Sequence, residues 1–553
     1  MPQHIAIFGA GIAGLSAAHA LNRQGHRVTV FESTSCAGGF FRSVRRPDLG
    51  GLPSEYSWHG MGPWYHNFYD LMKQIPGDDG RSLYDSALSR PIDFGLFPDD
   101  GPARFFERDC RSLRRMFRLG WWEFAAGMGL MLRTWCAQRR SETDYARRNA
   151  AEAWERWLGP RGLRTWRASF GPWIGSDWTQ VSLHQAGRFF LRQLTSHPAH
   201  PHAADEEGPA WMHGAADGWL LLRGPSSEVW FEPWTRDLAR RGVDLRFNQP
   251  LHRLLYRAGR IQGAELASGG MIHADHYVLA LNPFAATEIL ARTPDLERCG
   301  QLSLFRPLVQ GGPHVQVSFR LGFSEPIRFR RPRTAVVVAD SEFNLTLFAT
   351  EQAWAPHVSP GEGIRALWTG TACAAQVPGR LFGLPLSRCT RGQFLAEVIA
   401  QLRSCRALDE EIRAANGGRG FADFRPKVVE VWPEWVFSAD GIGGPQPKWV
   451  NTTRTQPYQP TQATPVPNLT LAGAHTRTEA DVWSIEAAVE SGRRAAGVID
   501  PAIGVQSQHR PRVLHWLGRI DDLLFACHGP HVLDVLAAVL LLAAGAAIWA
   551  LTA

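Results

Sequence analysis

Lysine is nearly missing from this chain. Only Lys73, Lys427 and Lys448 occur among 553 residues, so arginine supplies almost all of the 59 basic side chains behind the net charge of +7. No dense basic run accompanies that excess and no nucleic-acid-binding motif is present, which argues against a nucleic-acid partner. Cysteine is scarce and scattered: Cys36, Cys110, Cys136, Cys299, Cys373, Cys389, Cys405 and Cys527 form no CxxC and share no zinc spacing with histidine. They read as reduced thiols of a cytosolic compartment, and no metal centre is expected. The segment SHPAHPHAADEEGPAWMHGAADG lacks hydrophobic periodicity, and its His197, His200, His202 and His213 lack the carboxylate partners of a designed metal site. No cleavable leader precedes the first apolar strand, since Met1 runs almost at once into HIAIFGAGIAG. Apolar residues are not lacking. They make up 44% of the chain, enough for two or more domains.

The opening carries the strongest local chemistry. His4 to Phe8 is a short buried strand, Gly9, Gly11 and Gly14 form GxGxxG, and LSAAHALNRQG continues as a helix. A second strand, RVTVFE, ends in Glu32. This is the spacing of a dinucleotide-binding βαβ unit. Gly9 permits the tight turn, Gly11 lets the backbone approach a pyrophosphate at the helix N-terminus, and Gly14 allows close helix–strand packing. Ile12 and Ala13 supply N–H groups there, and Glu32 can accept hydrogen bonds from an adenosine ribose.

The residues that follow narrow the dinucleotide. SCAGGFFRS holds Gly38, Gly39 and Arg42, and NLTLAGAHTRTEADVWSIEAAVESGRRAA closes the body of the chain. Together they resemble the second glycine motif and the closing motif of FAD enzymes of the flavin amine oxidase superfamily. The resemblance implies that Gly38, Gly39 and Arg42 lie near the FAD phosphates. It also implies that Gly473 and the backbone at Ile485, Glu486 and Ala487 flank the flavin, where a helix N-terminus favours a reduced, anionic ring. One departure stands out: the family often has an acid after the glycine, and here Ala474 occupies that place. Between the motifs, a helix ending at Arg241–Gly242, the strand VDLRFN, a hairpin from Leu251 and the strand HYVLAL resemble the return of the chain to the FAD domain, with Leu251 touching adenine through its backbone.

The most distinctive stretch is EYSWHGMGPWYHNFYDLMKQI. Glu55, His59, Tyr65, Asn67, Leu71, Met72 and Lys73 resemble the pattern of plant-type carotene desaturases, and the closing motif resembles these and the hydroxysqualene dehydroxylases. An aromatic loop of this kind makes an apolar slot with a few polar tips. His59 and Tyr65 are the candidate substrate-side residues, and Glu55 is a brace.

The expected fold is therefore α/β: a discontinuous Rossmann-type FAD-binding domain (1–100, 215–300 and 460–500) with an α+β substrate domain (101–214 and 301–459). An amphipathic linker (501–530) and a C-terminal transmembrane helix (531–553) follow. The helix is read from VLAAVLLLAAGAAIWALTA, with Arg510, Arg512 and Arg519 ahead of it. It would hold the enzyme on the cytoplasmic membrane with the catalytic domain in the cytosol. FRLGWWEFAAGMGLMLRTW, from Phe117, reads as a core helix of a substrate cap or as an interfacial helix with Trp121 and Trp122 at headgroup level. The resemblance implies hydride transfer from a lipophilic, isoprenoid or polyene substrate to FAD N5, with a quinone or oxygen as acceptor. The alternative is oxidation of an apolar amine or cyclic imine, such as a precursor of an alkylpyrrole pigment. Many amine oxidases of the superfamily hold a lysine near N5 from a strand of the substrate domain. No lysine occurs around Gln310 to Phe319, which counts against that design.

Overall fold

The computed structural model describes residues 1–105, 110–175, 177–196, 218–508 and 510–552. The histidines at 197, 200, 202 and 213 lie outside them. Two sheets organise the described chain. The first is five-stranded and parallel throughout: β1 (His4–Phe8), β2 (Arg27–Phe31), β3 (Asp244–Arg246), β4 (His276–Leu279) and β5 (Leu469–Leu471), in the order β5-β4-β1-β2-β3. The central strand β1 is almost wholly apolar because both its faces are covered. Its sequence neighbour β2 lies on one side, but the other side is filled by strands that arrive more than 270 residues later (Ile5 pairs with His276).

The helices that position the site are α1 (Ile12–Arg23), α2 (His66–Gln74), α3 (Trp121–Trp135), α4 (Pro160–Ile174), α5 (Leu183–Thr195), α6 (Ile485–Ile499), α7 (Arg512–Ala526) and α8 (Val532–Thr552). α1 and α6 lie against each other at very short range. A Cβ on Gly492 would stand 2.3 Å from the Ala13 carbonyl oxygen, and one on Gly14 would stand 1.9 Å from that of Gly9. Glycine at these two places is thus what lets helix, helix and strand close together.

The second sheet has seven strands, in the order Val428–Val431, Val317–Phe323, Ala366–Ala372, Leu345–Ala349, Thr334–Val338, Asp93–Phe97 and Arg104–Phe105. It is antiparallel except where Thr334–Val338 runs parallel to Asp93–Phe97. Its four central strands are buried on both faces and are mainly apolar, with Ser318, Arg320 and several threonines buried among them.

The C-terminus departs from expectation. The apolar tail is helical as α8, but among the described residues no helix is long and apolar enough to cross a membrane. The turn before the apolar run is tied to the folded body: His531 and Val532 are buried, the Val532 N–H donates to Asp521 (3.0 Å), and Asp534 pairs with Arg133 of α3. α7 is docked similarly, with the buried carboxylate of Asp521 3.1 Å from Arg140 Nε. Neither a C-terminal transmembrane helix nor a single-span anchor is therefore supported.

Candidate active site

A cleft of ≈1110 Å³ opens along the carboxyl ends of β1, β4 and β5. Gly9, Gly11, Ile12, Ala13, Glu32, Gly38, Gly39 and Gly473 all line it. Gly9 has φ +109°, and a Cβ there would lie 2.4 Å from the Ala280 oxygen, so the turn is a glycine turn by necessity. Gly11 differs. Its φ is an ordinary −74°, and an added Cβ would meet no protein atom within 4 Å. It leaves room only on the cleft side, at an α1 N-terminus that has no side-chain cap. Glu32 is held rigidly: one carboxylate oxygen accepts the Ala10 N–H (2.8 Å) and the other accepts the Thr34 N–H (2.9 Å). A cradle of bare backbone, an uncapped helix N-terminus and a fixed carboxylate suits a dinucleotide.

Other expected residues do not line the cleft themselves. Gly14 packs against Gly9, the close helix–strand contact expected of it. Arg42 lies just behind the cleft wall, donating to the Gly39 carbonyl and to Gln446 (both 2.9 Å), which line the cleft, with Glu434 as its ion-pair partner. Leu251 begins a hairpin just beyond Gln249, whose N–H reaches the Glu32 carbonyl (2.8 Å). The Ala487 N–H is taken by Ser484 Oγ (3.1 Å). Glu486 faces α2, where it accepts from the N–H groups of Asn67 (3.0 Å) and Phe68 (2.9 Å) and from the Asn67 amide (2.8 Å). Burial nonetheless raises its pKa to about 7. Its side chain therefore seats the aromatic loop onto α6.

Phe40, Phe41, Trp483 and Ser484 are shared between this cleft and a second cavity of ≈630 Å³. Here the aromatic stretch finds its place. Tyr56, Trp58, His59 and Tyr65 line the slot, facing Trp219 and Ile174, while Ile485 closes its cleft side. The His59 ring stacks on Phe41 at 3.9 Å. Both its nitrogens are buried, and the nearest charge is a Glu55 oxygen 3.4 Å from Nδ1. Burial, then Arg320 and Lys448, press its pKa down to about 3, so the ring is neutral at physiological pH. Tyr65 is pushed above the ordinary phenol range by burial and by Glu486, and hydrogen-bonds Ser484. Glu55 braces the loop: it accepts the Ser226 N–H (3.0 Å), and its own carbonyl accepts from Ser318 (3.0 Å).

Lys448 is the residue sequence reasoning missed. It is buried at the slot wall, hydrogen-bonded to Gln316, and burial lowers its pKa to about 8. It arrives on a segment bridged to His314, whose N–H donates to the Lys448 carbonyl (2.8 Å). Gly175 makes room for it: a Cβ there would stand 2.3 Å from Nζ. The stretch from Gln310 to Phe319 contains no lysine, yet the fold sets one beside Gln316. The available signal was rarity, since this is one of three lysines in an arginine-rich chain.

Fold and site define a flavoprotein oxidoreductase. Residues 12–500 match the family of flavin containing amine oxidoreductases, and the chain belongs to it. It is accordingly an FAD-dependent oxidoreductase. Among solved structures it is similar to wild-type putrescine oxidase bound to putrescine (TM-score 0.60, 14% identity, 90% of this chain and 99% of that one). It is also similar to cyclohexylamine oxidase from Brevibacterium oxydans (TM-score 0.55, 14% identity, 91% and 100%). At that identity the likeness is one of fold. Among curated proteins it matches L-amino acid oxidase Cdc18 from Crotalus durissus cumanensis, 51% identical over 47 residues (8% of this chain, 9% of the relative). The L-amino-acid oxidase of Gloydius blomhoffii is 49% identical over 49 residues (9% and 10%). The chain thus spans about a tenth of the length of the curated relatives it matches.

Proposed function

We propose that this enzyme removes a hydride and a proton from a lipophilic substrate, of isoprenoid or polyene type, held in the aromatic slot beside FAD seated in the glycine cleft. One observation carries the reading: a slot walled by Tyr56, Trp58, Tyr65, Trp219 and Trp483 adjoins the cleft, with Phe40, Phe41, Trp483 and Ser484 common to both. Gly9, Gly11, Ile12, Ala13, Gly38, Gly39 and Gly473 would cradle the dinucleotide and Glu32 would face its ribose. The N-terminus of α6 would lie at the flavin ring. Bound FAD supplies the electron sink. The chain contributes a dry apolar bed that orients the reacting carbon, a neutral His59, and a lysine whose proton is loosely held. A membrane quinone or oxygen is the acceptor. The narrower likeness to carotene desaturases and hydroxysqualene dehydroxylases rests on the aromatic and closing motifs.

Lys448 favours a second reading, oxidation of an apolar amine or cyclic imine such as an alkylpyrrole precursor. A buried amine that loses its charge near pH 8 can hold a water or accept a proton at the slot without repelling a cationic substrate above that pH. Anaerobic mixing of the oxidised enzyme with polyenes and with apolar amines, read as bleaching of the flavin, separates the two. Bleaching by amines alone overturns the first reading, and bleaching by neither class overturns both.

A further inference from the structure

Two helices are apolar on the side turned to solvent. On α3 the exposed stripe is Trp122, Ala125 and Leu132, beside Trp121, and Trp122 is 74% exposed. On α7 it is Val513, Trp516, Ile520 and Leu523, a spacing of three, four and three that puts them on one helix face, with Trp516 61% and Leu523 71% exposed. α8, joined to α3 through Arg133–Asp534, exposes apolar side chains all round, Leu540, Leu541 and Leu542 among them. A soluble surface does not normally align large apolar side chains in this way.

The flanking segment is basic. Of the nine arginines in residues 110–148, Arg118, Arg133 and Arg140 are spent in ion pairs with aspartates, and Arg111, Arg115, Arg139, Arg147 and Arg148 are exposed. Arginine and tryptophan are paired at both edges: Arg114 lies 4.6 Å from the Trp121 ring centre and Arg519 5.6 Å from that of Trp516. Tryptophan flanked by guanidinium groups is suited to the headgroup layer, where the ring is half-solvated and the cation meets phosphate. Directly beneath α3, Phe117, Met128, Trp135, Trp166 and Phe190 wall a narrow apolar pocket. Gln193, also on its wall, accepts a hydrogen bond from the Trp219 indole (2.9 Å), and Trp219 lines the flavin-side slot. The hydrogen-bonded pair Gln193 and Trp219 stands between the two cavities.

We infer that α3, α7 and the exposed part of α8 form a face that lies on, without crossing, an anionic phospholipid bilayer. The surface does not depend on the proposed chemistry.

The test is flotation of the full-length, flavin-loaded protein with vesicles of phosphatidylcholine alone and of phosphatidylcholine mixed with phosphatidylglycerol. The expected result is binding that is stronger to the anionic vesicles and weakens as salt rises. The combined substitutions Trp122→Ser, Trp516→Ser and Leu523→Ser should weaken it at least about tenfold, since each removes buried apolar area. Flavin content and the rate of flavin bleaching in detergent should stay unchanged. Three results overturn the inference: no flotation of the unaltered protein, full flotation of the triple variant with loss only on Leu540→Ser and Leu541→Ser, or a concentration-dependent dimer that the triple variant abolishes. The last would show that a second copy covers the face. Loss of bleaching by every lipophilic substrate with flotation intact would remove the proposed chemistry and leave the surface standing.

Discussion

Gly11→Val separates flavin binding from folding more cleanly than any other change in the molecule. At Gly9 a side chain would strike the Ala280 oxygen at 2.4 Å and require a left-handed residue at φ +109°, and at Gly14 it would strike the Gly9 oxygen at 1.9 Å. Those variants are expected to misfold. At Gly11 the backbone is ordinary and no protein atom lies within 4 Å of the new Cβ, so the apoprotein should lose no more than a few tenths of a kcal/mol. The two γ-methyl groups enter the space a pyrophosphate would fill. Overpacking of this kind costs about 1–3 kcal/mol, which is roughly a five- to hundredfold loss of affinity. The assay is flavin absorbance per chain after gel filtration, paired with thermal unfolding with and without added FAD. Unaltered protein at about a hundred times its Kd gains about 2.7 kcal/mol from the ligand, and the variant should gain far less at the same concentration. Full flavin occupancy in a correctly folded variant would show that the pyrophosphate does not pass Gly11. A fall in apoprotein stability comparable to that of Gly14→Ala would refute the geometric reasoning itself.

His59→Ala and Tyr65→Ala should retain FAD and slow anaerobic flavin bleaching at least about tenfold, through lost orientation. Because His59 is already neutral above about pH 3, its removal should leave the pH profile between 5 and 9 unchanged in shape. Lys448→Met should erase a limb near pH 8, where the lysine loses its proton, and a limb that persists in this variant belongs to another group. Stability carries the same signature. The folded pKa of Lys448 is depressed, so the unfolded chain binds more protons between about pH 8 and 10.5; denaturation midpoints should rise across that window from this residue, and the rise should vanish in the methionine variant. Asn67→Ala should cost about 1–3 kcal/mol in urea melts, because the buried Glu486 carboxylate loses a donor and the Gln506 N–H loses its acceptor.

What could be read from the sequence was local. Gly9, Gly11, Glu32, Gly38 and Gly39 converge on one cleft because a βαβ unit fixes its own geometry within some thirty residues, and spacing alone reports it. Arg42 was harder, since nothing near it in sequence announces its partners Glu434 and Gln446. Glu486 sits in a motif read for its backbone, while its carboxylate serves Asn67 and Phe68 more than 400 residues earlier. Lys448 and Gln316 meet across 132 residues, a distance over which pattern is silent. The tail misled for a different reason. It was read from the apolar run alone, and nothing in that run announces the docking of the turn before it, where Asp534 pairs with Arg133.

The order of strands in the first sheet sets a timetable. β1 emerges first from the ribosome, yet its neighbour β4 follows more than 260 residues later, and β5 and α6 come only after residue 468. Until then α1 lacks the helix that packs on it at Gly492, and one wall of the cleft does not exist. Cofactor loading is therefore a late event in the life of each molecule. A chain released early is left with an open sheet edge and nowhere to hold its flavin.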